Sequence, residues 1–331
     1  MRVAINGFGR IGRITMRALL KKSGVEVVAI NDLTDVKTLA HLFKYDSVHR
    51  QFEGDVVAKE ASILFNGNDV KVFAERNPEN LPWKELEIDV VIESTGLFRS
   101  RDTASAHLKA GAKQVIISAP AKDKDIPSVV LGVNEDQVDF KSEIISNASC
   151  TTNCAAPMVK VLEDAVHVES IFVSTIHSYT GDQRLHDSPH SDLRRARAAA
   201  NSIIPTSTGA AKALGRIFPH LEGHLGGAGI RVPVINGSLT DLTCIVGHDI
   251  TEDEVKALFK KAAQEGPLKG ILQYTEDPIV SCDILSNPHS CIFDADLTSV
   301  IGRMVKVVGW YDNEAGYSNR VADLVVKLAS E

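Results

Sequence analysis

The sequence predicts two domains in succession. The first is an α/β domain with a doubly wound, mainly parallel sheet, and the second an α+β domain with a largely antiparallel sheet. Three observations predict this. The chain has 331 residues, about twice what one compact domain usually takes. Its first half alternates short β-branched runs with helical stretches, and several runs are apolar throughout, as strands covered on both faces are. Beyond about residue 150, longer strand candidates follow one another with fewer helices between them.

In chain order, the first half offers strands at Val3 to Asn6, Val25 to Asn31, Val70 to Ala74, Val90 to Glu93, Gln114 to Ser118 and Val129 to Val133. The second half offers Val168 to His177, Ile230 to Val234, Leu239 to Gly247, Cys291 to Leu297 and Met304 to Tyr311. Thr251 and Glu254 form a capping box ahead of Val255, Leu258, Phe259, Ala262 and Ala263 at helical spacing. The chain closes on one apolar helical stripe, Tyr317, Val321, Leu324 and Leu328, long enough to dock against a domain.

Composition narrows the class. Hydrophobic residues make up 44% and charged residues 24%, which excludes wholesale disorder. Lys plus Arg is 36 against 43 for Asp plus Glu, a net charge of -7, so no general positive field for nucleic acid is expected. The apolar runs fall far short of the roughly 20 residues of a membrane span. The opening Met1-Arg2-Val3-Ala4-Ile5-Asn6 leaves no room for the apolar centre of a secretion signal. Five cysteines, an odd set in a large chain, argue against a disulfide framework and for a reducing compartment, the cytoplasm. No paired CxxC spacing occurs, and no metal is expected.

Gly7-Phe8-Gly9-Arg10-Ile11-Gly12 follows the first strand directly and opens a helix running through Leu19, and the second strand ends at Asn31-Asp32. A lone GxGxxG is weak, but here strand, helix and an acidic residue 20 positions beyond Gly12 accompany it. Gly7 would permit the tight turn, Gly9 the approach of a pyrophosphate, and Gly12 close helix–strand packing. Helix N–H groups would hold the phosphates. Asp32 would accept from the adenosine ribose hydroxyls and repel a 2′-phosphate, favouring NAD over NADP. The first domain is thus read as nucleotide-binding.

Ser146 to Cys154 is a polar cluster leading into an apolar-periodic stretch through Met158, Val161 and Leu162. Cys150 precedes or occupies the first helical turn, and Pro157 would kink a helix that begins at Ser149. An unperturbed thiol near pKa ~8.5 is only about 3% ionised at pH 7. A helix N-terminus and a nearby histidine are expected to lower that pKa by about 2 or 3, roughly 3 to 4 kcal/mol in favour of thiolate. By itself Cys150 reads equally as a small hydrophobe or a nucleophile. His177 closes a strand candidate ahead of a loop, where catalytic groups commonly sit, but spacing alone leaves a structural role open. Arg194, Arg195, Arg197 and Arg231 suit anions or, for Arg194 and Arg197, solvated or subunit-interface charges. Pro205 to Ala210 reads as a second anion site or as helix capping.

With these segments in view, the whole chain resembles the phosphorylating glyceraldehyde-3-phosphate dehydrogenases of the bacterial glycolytic type. The likeness rests on Asn6 to Arg13, Ala148 to Cys154, Pro205 to Ala213 and Trp310 to Tyr317 in that order. The resemblance implies an NAD-binding domain at 1–149, a catalytic domain at 150–312 and a C-terminal helix at 313–331 packing back onto the first. It implies Cys150 as nucleophile and His177 as base. NAD would meet Arg10, Ile11, Asp32, Arg76 and Ser118, with Asn313 on the nicotinamide carboxamide. Thr180, Asp182 and Arg231 would take the phosphate of glyceraldehyde 3-phosphate. Ser149, Thr151, Thr208 and Gly209 would take inorganic phosphate, with Arg195 bordering both. The segment from Tyr179 to Asn201 would cross a subunit interface of a homotetramer.

Two departures stand out. Ser188 precedes Pro189 where NAD-selective members commonly carry Leu, and Asn236 to Asp241 replaces a more apolar stretch. Two other functions share parts of the pattern. An erythrose-4-phosphate dehydrogenase releases its thioester to water, and relatives with that activity depart from Thr206-Ser207-Thr208-Gly209. A binding or adhesion role on the same fold would need no catalysis.

Overall fold

In the first half of the chain, six parallel strands build around one crossover point. The computed structural model describes residues 1–330. The residues divide into two units: Met1–Val129, Asp136–Ala148 and the chain from Ser318 onward form the first, Val130–Glu135 and Ser149–Tyr317 the second. The sequence reading divides instead at 149/150 and keeps 313–331 as one segment.

The first unit runs β1 (Arg2–Asn6), α1 (Arg10–Leu19), β2 (Glu26–Asn31), α2 (Val36–Lys44), β3 (Val56–Ala58), β4 (Ser62–Phe65), β5 (Asn68–Phe73), β6 (Val90–Glu93), α3 (Arg101–Lys109), β7 (Gln114–Ile117) and β8 (Ile144–Ser146). The sheet order is β3-β4-β5-β2-β1-β6-β7-β8. Every pairing from β5 to β8 is parallel, while β3–β4 and β4–β5 are antiparallel. The chain moves to one side of β1 for β2 and to the other for β6. That reversal opens a crevice at the carboxyl ends of the strands, where ligands of such sheets bind. Val3, Ala4, Ile5, Val90, Val91 and Ile92 are fully buried, as two-sided cover requires.

One expectation changes here. Val129 to Val133 is not a strand. Gly132 takes φ +79° and the Asn134 carboxamide oxygen accepts the Val130 N–H at 2.8 Å, so this apolar run turns, and the last sheet position falls to β8. The hairpin β3–β4 was not legible either, because its strands are only 3 and 4 residues long.

The second unit runs α4 (Cys150–Val166), β9 (Val168–Ser178), β10 (Ile204–Thr206), α5 (Ala210–Ile217), β11 (Leu225–Val232), β12 (Ser238–Val246), α6 (Glu252–Gln264), β13 (Leu272–Thr275), β14 (Cys291–Ile301), β15 (Met304–Tyr311) and the start of α7 (Ala315–Ser330). Its sheet order is β10-β11-β9-β12-β15-β14-β13. The central pairings β9–β12, β12–β15 and β14–β15 are antiparallel, and β9–β11 and β13–β14 are parallel. Residues of β12 alternate strictly between buried and half-exposed, the period of a sheet with one covered face. The covering helices α4 and α6 pack on that face, and Phe259 of α6 stacks on Phe293 of β14 with centroids 3.8 Å apart. The Thr251–Glu254 capping box forms as expected. Within the first unit, Val321, Leu324 and Leu328 of α7 are buried. No described helix is long and apolar enough to cross a membrane.

Candidate active site

Cys150 is the first residue of α4, and Ser149 caps that helix by accepting the Thr152 N–H at 3.1 Å. Pro157 lies inside the helix. It lacks the N–H that would bond the carbonyl four residues back, yet the helix continues to Val166. The capped start fixes where the sulfur projects. Cys150 Sγ stands 3.5 Å from His177 Nε2.

His177 belongs to β9 and is 6% exposed. Its Nδ1 lies 2.7 Å from the Ser178 carbonyl oxygen, which can only accept, so Nδ1 carries the proton and Nε2 presents a lone pair to the sulfur. Arg231 on β11 faces His177 in register. Its Nη1 donates to the Ser178 carbonyl at 3.0 Å and comes within 3.0 Å of His177 Nδ1. Burial first, then the Arg231 charge, brings the His177 pKa down to about 3, although its bond to Ser178 opposes this.

The thiol expectation is corrected by the same burial. It pushes the Cys150 pKa up, over the opposing Arg231 charge and the bonds from Thr151. The resting pair is therefore a neutral thiol facing a neutral imidazole, and ionisation waits for proton transfer between them. The other cysteines are free as well, and Cys244 is wholly buried with a pKa raised to about 12 by desolvation, which leaves it inert.

The other anion-binding candidates also lie in the second unit. Arg231 Nη1 also reaches Thr180 Oγ1 at 3.4 Å. Arg195 donates from Nε to Thr206 Oγ1 at 3.0 Å and from Nη1 to Asp182 at 2.6 Å. Asp182 is a carboxylate kept ionised: burial would raise its pKa, but Arg195 and His190 outweigh it. Asp182 thereby holds the Arg195 guanidinium in place beside Thr206. Thr208 Oγ1 accepts the Ala210 N–H at 3.2 Å, and Gly209 is the N-cap of α5, without a side-chain cap bond. The Thr151 hydroxyl bonds the Tyr311 hydroxyl at 2.9 Å.

Several residues here escaped the sequence reading. Tyr311 also bonds Thr175 at 3.0 Å and sets its ring edge-on to His177. It lay within the Trp310 to Tyr317 segment, but a buried tyrosine carries no mark of its role. Ser178 and Ser238 each donate to Asn313 Oδ1 at 2.9 Å. That engages the carboxamide oxygen of Asn313.

The first unit holds a crevice of about 380 Å³ lined by residues including Asn6, Gly7, Gly9, Asp32, Arg76 and Thr95, within the size range of small-molecule sites. Gly7 takes φ +93°, and a Cβ there would meet the Thr95 nitrogen at 2.7 Å. At Gly12 it would meet the Gly7 carbonyl at 2.2 Å, whereas at Gly9 it would meet nothing within 4 Å. The three glycines thus divide into two packing positions and one open approach, the division a pyrophosphate loop requires. Gly9 caps α1 without a side chain, leaving first-turn N–H groups to a ligand.

Asp32 Oδ2 accepts the Phe8 N–H at 2.8 Å and Oδ1 the Thr34 N–H at 3.0 Å, so the glycine loop and the acidic residue position one another. Arg10 and Ile11 open α1, but the Arg10 guanidinium pairs with Asp46. Burial would raise the Asp46 pKa, yet Arg10 and the His49 and Val48 N–H groups bring it down to about 2. Ser118 follows β7, its N–H bonded to the Glu93 carbonyl at 2.9 Å. Below the crevice, the buried Glu93 accepts from Asn6, Thr95 and His107.

Residues 1–101 match the family model described as glyceraldehyde 3-phosphate dehydrogenase, NAD binding domain, and residues 149–313 the model of its C-terminal domain. The chain is 55% identical to glyceraldehyde-3-phosphate dehydrogenase 2 of Streptomyces avermitilis over 334 residues, covering 100% of this chain and 99% of the relative. It is 58% identical to glyceraldehyde-3-phosphate dehydrogenase of Thermotoga maritima over 330 residues, covering 99% and 98%. For glyceraldehyde-3-phosphate dehydrogenase of Geobacillus stearothermophilus the identity is 55% over 333 residues, covering 100% and 99%.

Proposed function

Because the chain belongs to the glyceraldehyde-3-phosphate dehydrogenase family, we propose that it oxidises glyceraldehyde 3-phosphate to the acyl phosphate 1,3-bisphosphoglycerate. NAD is the oxidant and inorganic phosphate the second substrate. The observation that carries this reading is the capped helix start holding Cys150 Sγ 3.5 Å from a neutral His177 Nε2.

Cys150 gives its proton to His177 Nε2 as the sulfur bonds the aldehyde carbon, and the imidazolium passes that proton to the carbonyl oxygen. The product is a hemithioacetal. His177 then removes the hydroxyl proton as the carbon gives up a hydride, and bound NAD supplies the acceptor for it. The sulfur now holds a thioester, which keeps much of the oxidation energy. A phosphate oxygen attacks its carbonyl, the C–S bond breaks, and the imidazolium returns a proton to the leaving sulfur. A neutral imidazole is what the first and third transfers require.

For the cofactor, Gly7, Gly9 and Gly12 shape the loop, the Arg10 and Ile11 N–H groups face the pyrophosphate, and Asp32 and Arg76 line the adenosine end. Ser118 and the amide nitrogen of Asn313 serve the nicotinamide half. Arg231 and Thr180 hold the substrate phosphate, with Asp182 setting Arg195. Ser149, Thr151, Thr208 and Gly209 hold inorganic phosphate beside Arg195. Leu185 and Leu193, 74% and 80% exposed, support a subunit contact through residues 179–201 and a homotetramer. Five free thiols favour a reducing, cytoplasmic setting. The erythrose 4-phosphate alternative finds less support, since the matched relatives bear the other name and Thr206-Ser207-Thr208-Gly209 is intact.

NADH formation with and without inorganic phosphate or arsenate tests the reading. Sustained turnover only with the oxyanion is expected. Equal steady-state rates in both would reject phosphorolysis.

A further inference from the structure

At the far end of α4 from Cys150, three side chains converge that the reaction does not use. Glu163 lies in the last turn of the helix, His167 follows it four residues later as the C-cap, and His220 stands on the short turn Pro219–Leu221 after α5. Glu163 Oε1 is 3.0 Å from His167 Nδ1 and 3.3 Å from His220 Nε2. One ligand atom from each lies within 4.8 Å of the other two. Two donors bound to one ion at ~2.0–2.1 Å, with angles between a right angle and the tetrahedral value, stand about 2.9–3.4 Å apart. Both Glu163 distances fall in that span.

The cluster is also held in place. Glu163 Oε2 accepts the Val168 N–H at 2.7 Å, which fixes the carboxylate as outer partners of metal ligands do. His167 has φ +51°, a conformation that non-glycine residues seldom adopt. Its ring stacks on that of His220 with centroids 5.6 Å apart. The side chains of His167 and His220 are 62% and 41% exposed, so an ion can enter from solvent.

We propose that Glu163, His167 and His220 form a binding site for a late first-row divalent metal ion, Zn²⁺ foremost, with solvent completing the coordination. Two imidazoles and one carboxylate suit zinc, copper or nickel rather than calcium or magnesium, which prefer all-oxygen cages. Along α4 (Cys150–Val166), a rise of 1.5 Å per residue puts about 20 Å between the thiol residue and Glu163 and about 25 Å between it and His167. The bound ion would tie the end of α4 to the turn after α5 rather than take part in the oxidation.

Thiols also bind zinc, so the test is made on the full chain with Cys150→Ser and Cys282→Ser. Zn²⁺ is titrated by calorimetry, and Co²⁺ by its visible absorption. One Zn²⁺ per chain is expected, with a cobalt spectrum free of thiolate charge-transfer absorption. His167→Ala and His220→Gln should each weaken binding by about 100-fold, while His41→Ala, in the first unit, changes nothing. His220 sits on an exposed turn, so its variant reports even if His167→Ala is poorly folded. Binding unchanged in both variants, or no binding in the parent, would overturn the site.

Discussion

Arg231 Nη1 lies 3.0 Å from His177 Nδ1, one cation held against the ring that must stay uncharged to act as a base. The register of β11 on β9 sets this contact, and burial of both residues strengthens it. Arg231→Leu should let the His177 pKa rise from about 3 toward its usual range, though continued burial holds it short. The same change removes the charge that favours Cys150 thiolate. Alkylation of Cys150 at pH 7 should slow several-fold, and KM for the sugar phosphate should rise by about 10-fold or more. An unmoved imidazole titration by NMR would contradict this.

His177→Asn should lower kcat by about 10²–10⁴-fold, the usual worth of a positioned base. It should also change the acid stability. An unfolded chain takes up a proton on this ring below about pH 6.5, whereas the folded ring stays neutral down to about pH 3. Stability present above pH 6.5 is therefore lost as pH falls through that window. Urea unfolding at pH 7 and pH 4.5 should show the wild type losing about 2 to 3 kcal/mol more than His177→Asn.

Ser149→Ala removes the oxygen that accepts the Thr152 N–H. The cost should be about 1 kcal/mol of stability, together with a higher KM for inorganic phosphate. Thermal unfolding and phosphate-dependent kinetics measure the two effects. A variant with unchanged phosphate KM would remove Ser149 from that site.

Asp32→Asn keeps an acceptor for the Phe8 N–H but drops the charge that repels a 2′-phosphate. The ratio of kcat/KM for NADP to that for NAD should rise by about 10-fold. If the ratio holds constant, discrimination lies elsewhere, with Ser188 the first residue to change.

Much of the first unit was legible because its signals are local. A glycine that must take positive φ, a helix that must start without a bulky cap, and strands buried on both faces each mark themselves within a few residues. The run Val129 to Val133 misled for a related reason. Its apolar pattern is that of a buried strand, and only Gly132 and Asn134 reveal the turn. In the second unit, Cys150 at a helix entrance was legible, but its partner was one of 11 histidines. Tyr311, Ser178 and Ser238 gave no sign at all, since a buried hydroxyl looks the same in sequence whether it supports a site or a core.

By itself the sequence determined the two-part architecture, the glycine loop with Asp32, and a helix entrance close to Cys150, because backbone sterics and hydrophobic period act over short spans. Only the tertiary structure decided the rest. Strand register brought His177 and Arg231 side by side, and burial reversed the expected ionisation of the thiol and left the imidazole neutral. Proton affinities depend on the field and solvent around a group, and those exist only once distant segments have packed.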